Sequence, residues 1–363
     1  MPDERSGRET YDTPRVTLAD VARRAGVSIS VVSRELNRDP ALRAREETRR
    51  RIQQAAQELG YAPSHAARAL RLSRAFAVGL VIPDLTNPIY DPLVRGIEEA
   101  ADELGYQVFV GRTERLRPGA DFLRKLAGEG RVDGFLVQRR DETDLRDFAS
   151  LADAGSRPVV VINSRWPRRG SVVHDDERAG RMATQHLLDL GHRDIALLGG
   201  DVHSHTAKAR ERGYLQAIHA AAMRKRGRWV LNRPYEPGAG RDALIEMCTA
   251  SRRRPTAVVV ANLDAAIGAL GGARELGLKV PEQLSIVAVH DWWIADFTRP
   301  RLTTVRMPQF QLGQQAMRLL HARLAGGAAL DLTITDPPPM LIERESTGPP
   351  PRRLLRARSP GAS

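Results

Sequence analysis

Cysteine is all but missing from this chain, and so is lysine. A single thiol, Cys248, cannot close an internal disulfide or supply a cysteine metal cluster, which excludes a disulfide scaffold and a zinc finger together. No apolar run approaches the roughly 18 residues that a membrane span needs, so no integral membrane protein and no membrane partner is expected. The first residues, MPDERSGRETYDTPR, lack the apolar core of a secretory signal, and the expected location is the cytoplasm. Four lysines stand against 52 arginines. A GC-rich genome produces that skew as readily as function does, so arginine abundance alone decides little. Hydrophobic content of 42% and charged content of 28% over 363 residues fit two or three folded globular domains.

The position of the charge says more than its amount. The net formal charge is +12, which makes a polyanion a plausible partner. Residues 1–13 carry −2, residues 14–75 carry +7 and the tail from Gly348 carries +4, leaving +3 for the 272 residues between. The positive field is gathered at the two ends of the chain.

Periodicity then divides the chain. Residues 1–13 are polar and uncapped and are expected to be disordered. Residues 14–62 read as three short helices. Thr17 caps the first, with Leu18, Val21, Ala22 and Ala25 on one face and Gly26 as its break. Ser28 caps the second, whose apolar positions are Val31, Val32 and Leu36, and the third runs from Glu46 to Leu59 before Gly60. Residues 63–75 are a short alanine-rich hinge or linker opening with Pro63. From residue 76 to 347, apolar strand runs alternate with helical stretches. The apolar run AVGLVIPD after Phe76 is the first strand, and others fall at 107–110, 134–137, 158–162, 195–198, 256–260 and 284–289. The helices include 92–105, 121–129, 144–154, 179–190, 207–222, 240–250, 263–275 and 308–325. That alternation builds parallel sheets from βαβ units, and its length favours two doubly wound lobes over one sheet. Residues 348–363, rich in proline and arginine, read as a disordered basic tail.

Two short helices joined by a glycine turn make a helix-turn-helix, in which the second helix enters the major groove. Its outward residues are Ile29, Ser30 and Ser33, with Arg34 one turn on. Arg34 can donate two hydrogen bonds to guanine. Thr17, Ser28, Ser33 and Asn37 are placed for phosphate contacts, which set register without reading sequence. Any three-helix bundle with a polar surface also fits this bare pattern.

VTLADVARRAGVSISVVSRELN followed by ETRRRIQQAAQELGYAPSHAARAL closely resembles the DNA-binding headpiece of LacI/GalR-type bacterial transcriptional regulators. IPDLTNPIYDPLVRGIEEAADELGY, HLLDLGHRDIALLGG, RERGY, LGLKVPEQLSIVAV and RPRLTTVRMP continue the likeness to about residue 347. The resemblance implies an all-α helix-turn-helix headpiece with a hinge helix, followed by an α/β core of two doubly wound parallel-sheet lobes like a type I periplasmic-binding protein. It implies a homodimeric repressor on a palindromic double-stranded DNA operator, with Ile29, Ser30 and Arg34 reading bases. Leu70 falls where the family wedges a leucine into the minor groove, a role in which unstacking is offset by the wider contact of bent DNA. Packing between headpiece and core is the alternative for Leu70. The segment RDPALRAREE is about two residues longer than the family norm.

For the core, the resemblance implies a small-molecule effector, carbohydrate-like, held between lobes whose crossing strands lie near Val173–Asp175, Thr303–Val305 and Leu330–Thr333. The first lobe is then 76–173 with 304–329, and the second 175–302 with 331–347. In open parallel sheets ligands sit beyond the carboxyl ends of strands. The residues so placed include Asp84, Asn87 and Asn163. The effector candidates are Tyr90, Ser204, Thr206, Arg210, Tyr235, Asn262, His290 and Asp291. Arg210 matches the family arginine that contacts effector, with a surface ion pair as its alternative. Tyr90 and Tyr235 match family aromatics and could equally be core. His290 stands where the family has an aspartate, exchanging a carboxylate for an imidazole that can charge near pH 6.5, and Asn262-Leu263-Asp264 displaces another carboxylate by one. His203 and His205 lack a third ligand, so no metal is expected. GxxxxGK[ST], HExxH, GxSxG and a GxGxxG after the first strand are all missing, so no catalytic residue, cofactor or enzyme activity is expected. The alternative function is a solute receptor that signals through a protein partner without reading DNA.

Overall fold

The computed structural model describes residues 16–36, 41–61, 74–85, 87–112, 128–138, 157–166, 169–223, 229–250 and 253–351. The stretch 1–13, Asn37, Leu70 and most of its hinge, and the helix expected at 144–154 lie outside the described residues. The chain divides after Arg74 into two compact units.

The first unit holds α1 (Leu18–Ala25), α2 (Ile29–Leu36) and α3 (Glu46–Glu58). Thr17 opens α1 with a capping box: its hydroxyl accepts from Asp20 N at 3.4 Å while Thr17 N donates to the Asp20 carboxylate at 2.9 Å. Gly26 ends the helix at φ +67°, a conformation glycine adopts without a Cβ penalty. Val21, Ala22, Ala25, Val32, Ile52, Ala55 and Ala56 form the core between the three helices. Val21, Val32 and Ile52 are fully buried. Burial of side chains this size contributes about 1.5–3 kcal/mol each, which holds together helices too short to be stable alone.

Among the described residues the second unit contains two six-stranded sheets. The first-lobe sheet holds β1 (Ala77–Ile82), β2 (Gln107–Arg112), β3 (Gly134–Gln138), β4 (Val159–Ile162), β5 (Ser171–His174) and β11 (Asp331–Ile334). Its order is β11-β5-β4-β3-β1-β2, and every pairing is parallel. The second-lobe sheet holds β6 (Ile195–Gly199), β7 (Val230–Asn232), β8 (Ala257–Val260), β9 (Ser285–Val289), β10 (Thr303–Arg306) and β12 (Met340–Ile342). Its order is β12-β10-β9-β8-β6-β7, with β12 alone antiparallel. Helices α4 (Asp91–Leu104) and α9 (Gln309–Leu324) pack together in the first lobe. Helices α5 (Asp176–Asp189), α6 (His205–Ala220), α7 (Pro237–Thr249) and α8 (Leu263–Glu275) belong to the second. Central strands are buried on both faces, which is why they read as unbroken Val/Ile/Leu runs.

Three crossings join the lobes: β5 into α5 at 174–176, β10 into α9 at 306–309, and β11 into β12 at 334–340. The lobe boundaries expected at 304 and 331 are therefore displaced. Thr303–Val305 pairs with Val287–Val289 in the second sheet, and Asp331–Ile334 pairs with Ser171–His174 in the first. The backbone ladder of each short strand, rather than its residue composition, decides which sheet it joins. The segment expected to be disordered from 348 is ordered at its start, and residues 352–363 lie outside the described residues. Gly348 N donates to Ser285 Oγ at 3.1 Å and its carbonyl lies 2.8 Å from His192 Nε2, so it is sewn onto the second lobe. Among the described residues no helix is long and apolar enough to cross a membrane.

Candidate DNA-reading helix and interlobe cavity

Helix α2 bares the side chains at its start. Ile29 is 51% exposed, Ser30 is exposed, and Ser33 and Arg34 are half-buried. Ser28 is exposed and its hydroxyl accepts from Val31 N at 3.4 Å, so it caps the helix. The Thr17 hydroxyl donates to Asp20 at 2.6 Å, which commits it to its own helix before any phosphate. Glu35, on the opposite face of α2, is 9% exposed and lies between Gln53 Nε2 at 3.2 Å and Arg49 Nε at 3.7 Å. These contacts clamp α2 to α3, and no periodicity signal pointed to them.

In the second unit a cavity of about 330 Å³ opens between the lobes, beyond the carboxyl ends of β1, β3, β4, β6, β8 and β9. Tyr90, Ser204, Thr206, Arg210, Tyr235, Asn262 and His290 all line it, with Asp84, Asn87, Gln138, Asn163 and Gln309. Ser204 and Asn262 each cap the helix that follows, accepting from Ala207 N at 3.4 Å and Ala265 N at 3.0 Å. Thr206 Oγ1 lies 3.0 Å from Ser204 Oγ. From the first lobe, Gln138 Nε2 donates to the Tyr90 hydroxyl at 3.2 Å and Asn163 Nδ2 donates to Gln138 Oε1 at 3.4 Å. Asn163 Oδ1 and the Tyr235 hydroxyl are buried with no hydrogen-bond partner among the described residues, so each keeps unused hydrogen-bonding capacity. Asn163 at φ +55° and His290 at φ +71° hold left-handed conformations at strand ends, and strain of this kind gathers at binding sites. Asn87 Nδ2 donates to Asp264 Oδ2 at 2.5 Å, which ties one lobe to the other. Burial and the nearby Asp84 push the Asp264 carboxyl above its ordinary value.

Arg210 is 3% exposed and is not a surface ion pair. Its Nε donates to Asp176 Oδ1 at 2.8 Å, Nη2 approaches the same oxygen at 2.7 Å, and Nη1 donates to the Ala261 carbonyl. Nη2 also lies 2.9 Å from His290 Nε2. Burial opposes the charge, but Asp176, Tyr235 and Tyr90 together outweigh it and keep the guanidinium protonated. The spacing in RERGY has a packing cause. A Cβ on Gly213 would fall on the Glu177 carbonyl oxygen, so only glycine lets α6 lie close enough to α5 for Arg210 to reach Asp176. Tyr214 anchors the same turn by donating to the Ile195 carbonyl at 3.0 Å.

His290 behaves differently from the sequence expectation. Burial, the Arg210 charge and His174 hold its pKa well below the ordinary histidine value, so it stays neutral at physiological pH. Asp291 lies outside this cavity. It accepts from Thr304 Oγ1 at 2.6 Å, Arg306 Nη2 at 2.7 Å and Arg344 Nη1 at 2.8 Å. Burial works to raise its pKa, and hydrogen bonds from Thr304, Arg344 and Arg306 outweigh it and hold the carboxyl below its usual value. Asp291 is thus a brace between β9 and β10. No cluster of three or more metal-ligating side chains occurs among the described residues. Gln138 sits at a strand end and was within reach of the rule that found Asn163. Asp176 and Gln309 open helices, and nothing local marks them.

Residues 17–64 match the description "Bacterial regulatory proteins, lacI family", and residues 184–347 match "Periplasmic binding protein-like domain". The HTH-type transcriptional repressor PurR of Erwinia tasmaniensis is 31% identical over 343 residues, covering 94% of this chain and 99% of that one. The Lac repressor dimer bound to operator and the anti-inducer ONPF is 27% identical with a TM-score of 0.75, covering 92% of this chain and 99% of that one. The transcriptional regulator CelR in complex with cellobiose is 28% identical with a TM-score of 0.68, covering 92% and 100%. On a likeness that runs nearly end to end, this chain belongs to the LacI/GalR family of bacterial transcriptional regulators, DNA-binding repressors whose hold on the operator is set by a small molecule.

Proposed function

We propose that Ile29, Ser30 and Arg34 read operator bases in the major groove, with Ser28 and Ser33 on phosphates, and that the interlobe cavity takes an uncharged, carbohydrate-like effector. Two copies of the chain act as a cytoplasmic homodimer on a palindrome. Asn37 on a phosphate and Leu70 as the minor-groove wedge complete the reading from sequence.

A single observation carries the effector assignment: groups from both lobes converge on one polar cavity whose arginine is already neutralised by Asp176. A charged ligand would find no unpaired opposite charge on Arg210, whereas hydroxyls would find Asn163 Oδ1 and the Tyr235 hydroxyl. Relatives support the class, since the CelR structure holds cellobiose. The test is thermal-shift screening of the full chain against sugars, polyols and the matching sugar acids. An uncharged ligand at a hundred times its Kd should stabilise the fold by about 2.7 kcal/mol and be recovered unchanged. Preference for an acid over its parent sugar, or chemical conversion of the bound compound, would overturn the reading.

A further inference from the structure

We infer that Arg210, His290, Gln309 and His174 form a one-way hydrogen-bond relay from the effector cavity to the first interlobe crossing, and that Gln309 is the positioning residue that carries it between the two rings.

The direction follows from what each group can do. Arginine only donates, so His290 Nε2, 2.9 Å from Arg210 Nη2, must accept. The proton of a neutral imidazole is then on Nδ1, which faces the Gln309 amide at 3.2 Å. The other end of that amide lies 3.1 Å from His174 Nε2. The two ends of an amide are interchangeable in shape, and only one way round is chemically consistent. Gln309 turns its oxygen to His290 Nδ1–H and its nitrogen to His174 Nε2. His174 is thereby left with its proton on Nδ1, a buried atom without a protein partner. His174, Gln309 and His290 are all under 9% exposed, so bulk solvent competes little for these bonds.

The relay links separate parts of the fold. His174 ends β5 at the first crossing, Gln309 opens α9 just after the second, and His290 follows β9 at the cavity. The groups facing His290 are Arg210 from α6 with Asp176 behind it, His174 from β5, and the uncharged Gln309 from α9. Both lone pair and proton of His290 are spent inside the protein, so His290 aims Arg210 rather than bonding a ligand. Hydrogen bonds tie Arg210 to Asp176, His290 and the Ala261 carbonyl, and Nη2 also lies at ion-pair distance from Asp176, while the side chain lines the cavity. A ligand that shifts Arg210 therefore shifts a chain of oriented bonds reaching the first interlobe crossing.

The functional meaning rests on the effector reading, but tautomers can be read without any ligand, so a failure here is distinct from a failure to find an effector. The experiment is long-range 15N–1H correlation on full-length protein labelled at histidine, with His174→Gln and His290→Gln to assign the two rings. At pH 7 both rings should carry their proton on Nδ1, the form less favoured by free histidine. Gln309→Leu should free His174 to revert to the Nε2–H form or to exchange, while Arg210 still holds His290 in the Nδ1–H form. Where a variant fails to fold, correlation of each ring with its own backbone amide assigns it instead, and an Nε2–H or doubly protonated ring at either position in the wild-type chain overturns the relay, as does a His174 signature untouched by Gln309→Leu.

Discussion

Arg34 offers the sharpest single-residue test of DNA reading. Its guanidinium can bond guanine O6 and N7 together, so Arg34→Ala should cost about 1–3 kcal/mol of binding and relax preference at one base position. Competition binding against a set of single-base operator variants checks it. An equal loss on every variant would make Arg34 a phosphate contact. Histidine chemistry yields a second test. Burial holds His174, His186, His192 and His290 below the ordinary histidine value of 6.5. On unfolding below that pH each takes up a proton, so the stability they confer is whole above about pH 6.5 and is lost as the pH falls toward the folded values. The urea midpoint should therefore drop from pH 7 to about 5.5, and a flat or rising midpoint would contradict the burial argument. At this scale the strand-end rule found Asn163, Ser204, Asn262 and His290, which line the cavity that opens where the parallel strands stop. It placed Asp291 in the cavity wrongly, since successive residues after a strand point to opposite sides and only His290 faces inward. Asp176 and Gln309 escaped it. Their partners stand 34 and 19 positions away along the chain, and only the crossings bring them together.

Among the elements, the pairing of α5 and α6 matters most to the site. Gly180 faces the Arg210 carbonyl and Gly213 faces that of Glu177, so the two backbones touch without side chains between them. Gly213→Ala should force the helices apart at a cost of about 1–3 kcal/mol, the usual penalty of overpacking. Chemical denaturation reads that loss, and an unchanged midpoint would mean the helices do not need the close approach. The central strands could be read from sequence because burial on both faces demands continuous apolar residues, as in AVVV at 257–260. Of the edge strands, β2 is read at 107–110, but β7 and β11 have no periodicity to mark them. Val230–Asn232 is half-buried throughout, and Asp331–Ile334 has one fully buried residue, so neither carries a face pattern to read. Their sheet membership is fixed by long-range ladders, which no local period encodes.

For the whole molecule, charge and architecture divide the labour between the two units. The basic segment 14–75 supplies the field that draws DNA, and the nearly neutral core supplies a cavity lined from both lobes. By linkage, a ligand that changes operator affinity is itself bound more or less tightly by the same factor when operator is present. The most direct measurement is the affinity of the full chain for a selected palindromic duplex and for its scrambled counterpart, at several salt concentrations. The account predicts a strong preference for the palindrome and a linear fall of log affinity with log salt, a thousandfold or more between about 50 and 200 mM if six or more phosphates are neutralised. Equal binding to both duplexes, or an affinity indifferent to salt, would contradict it.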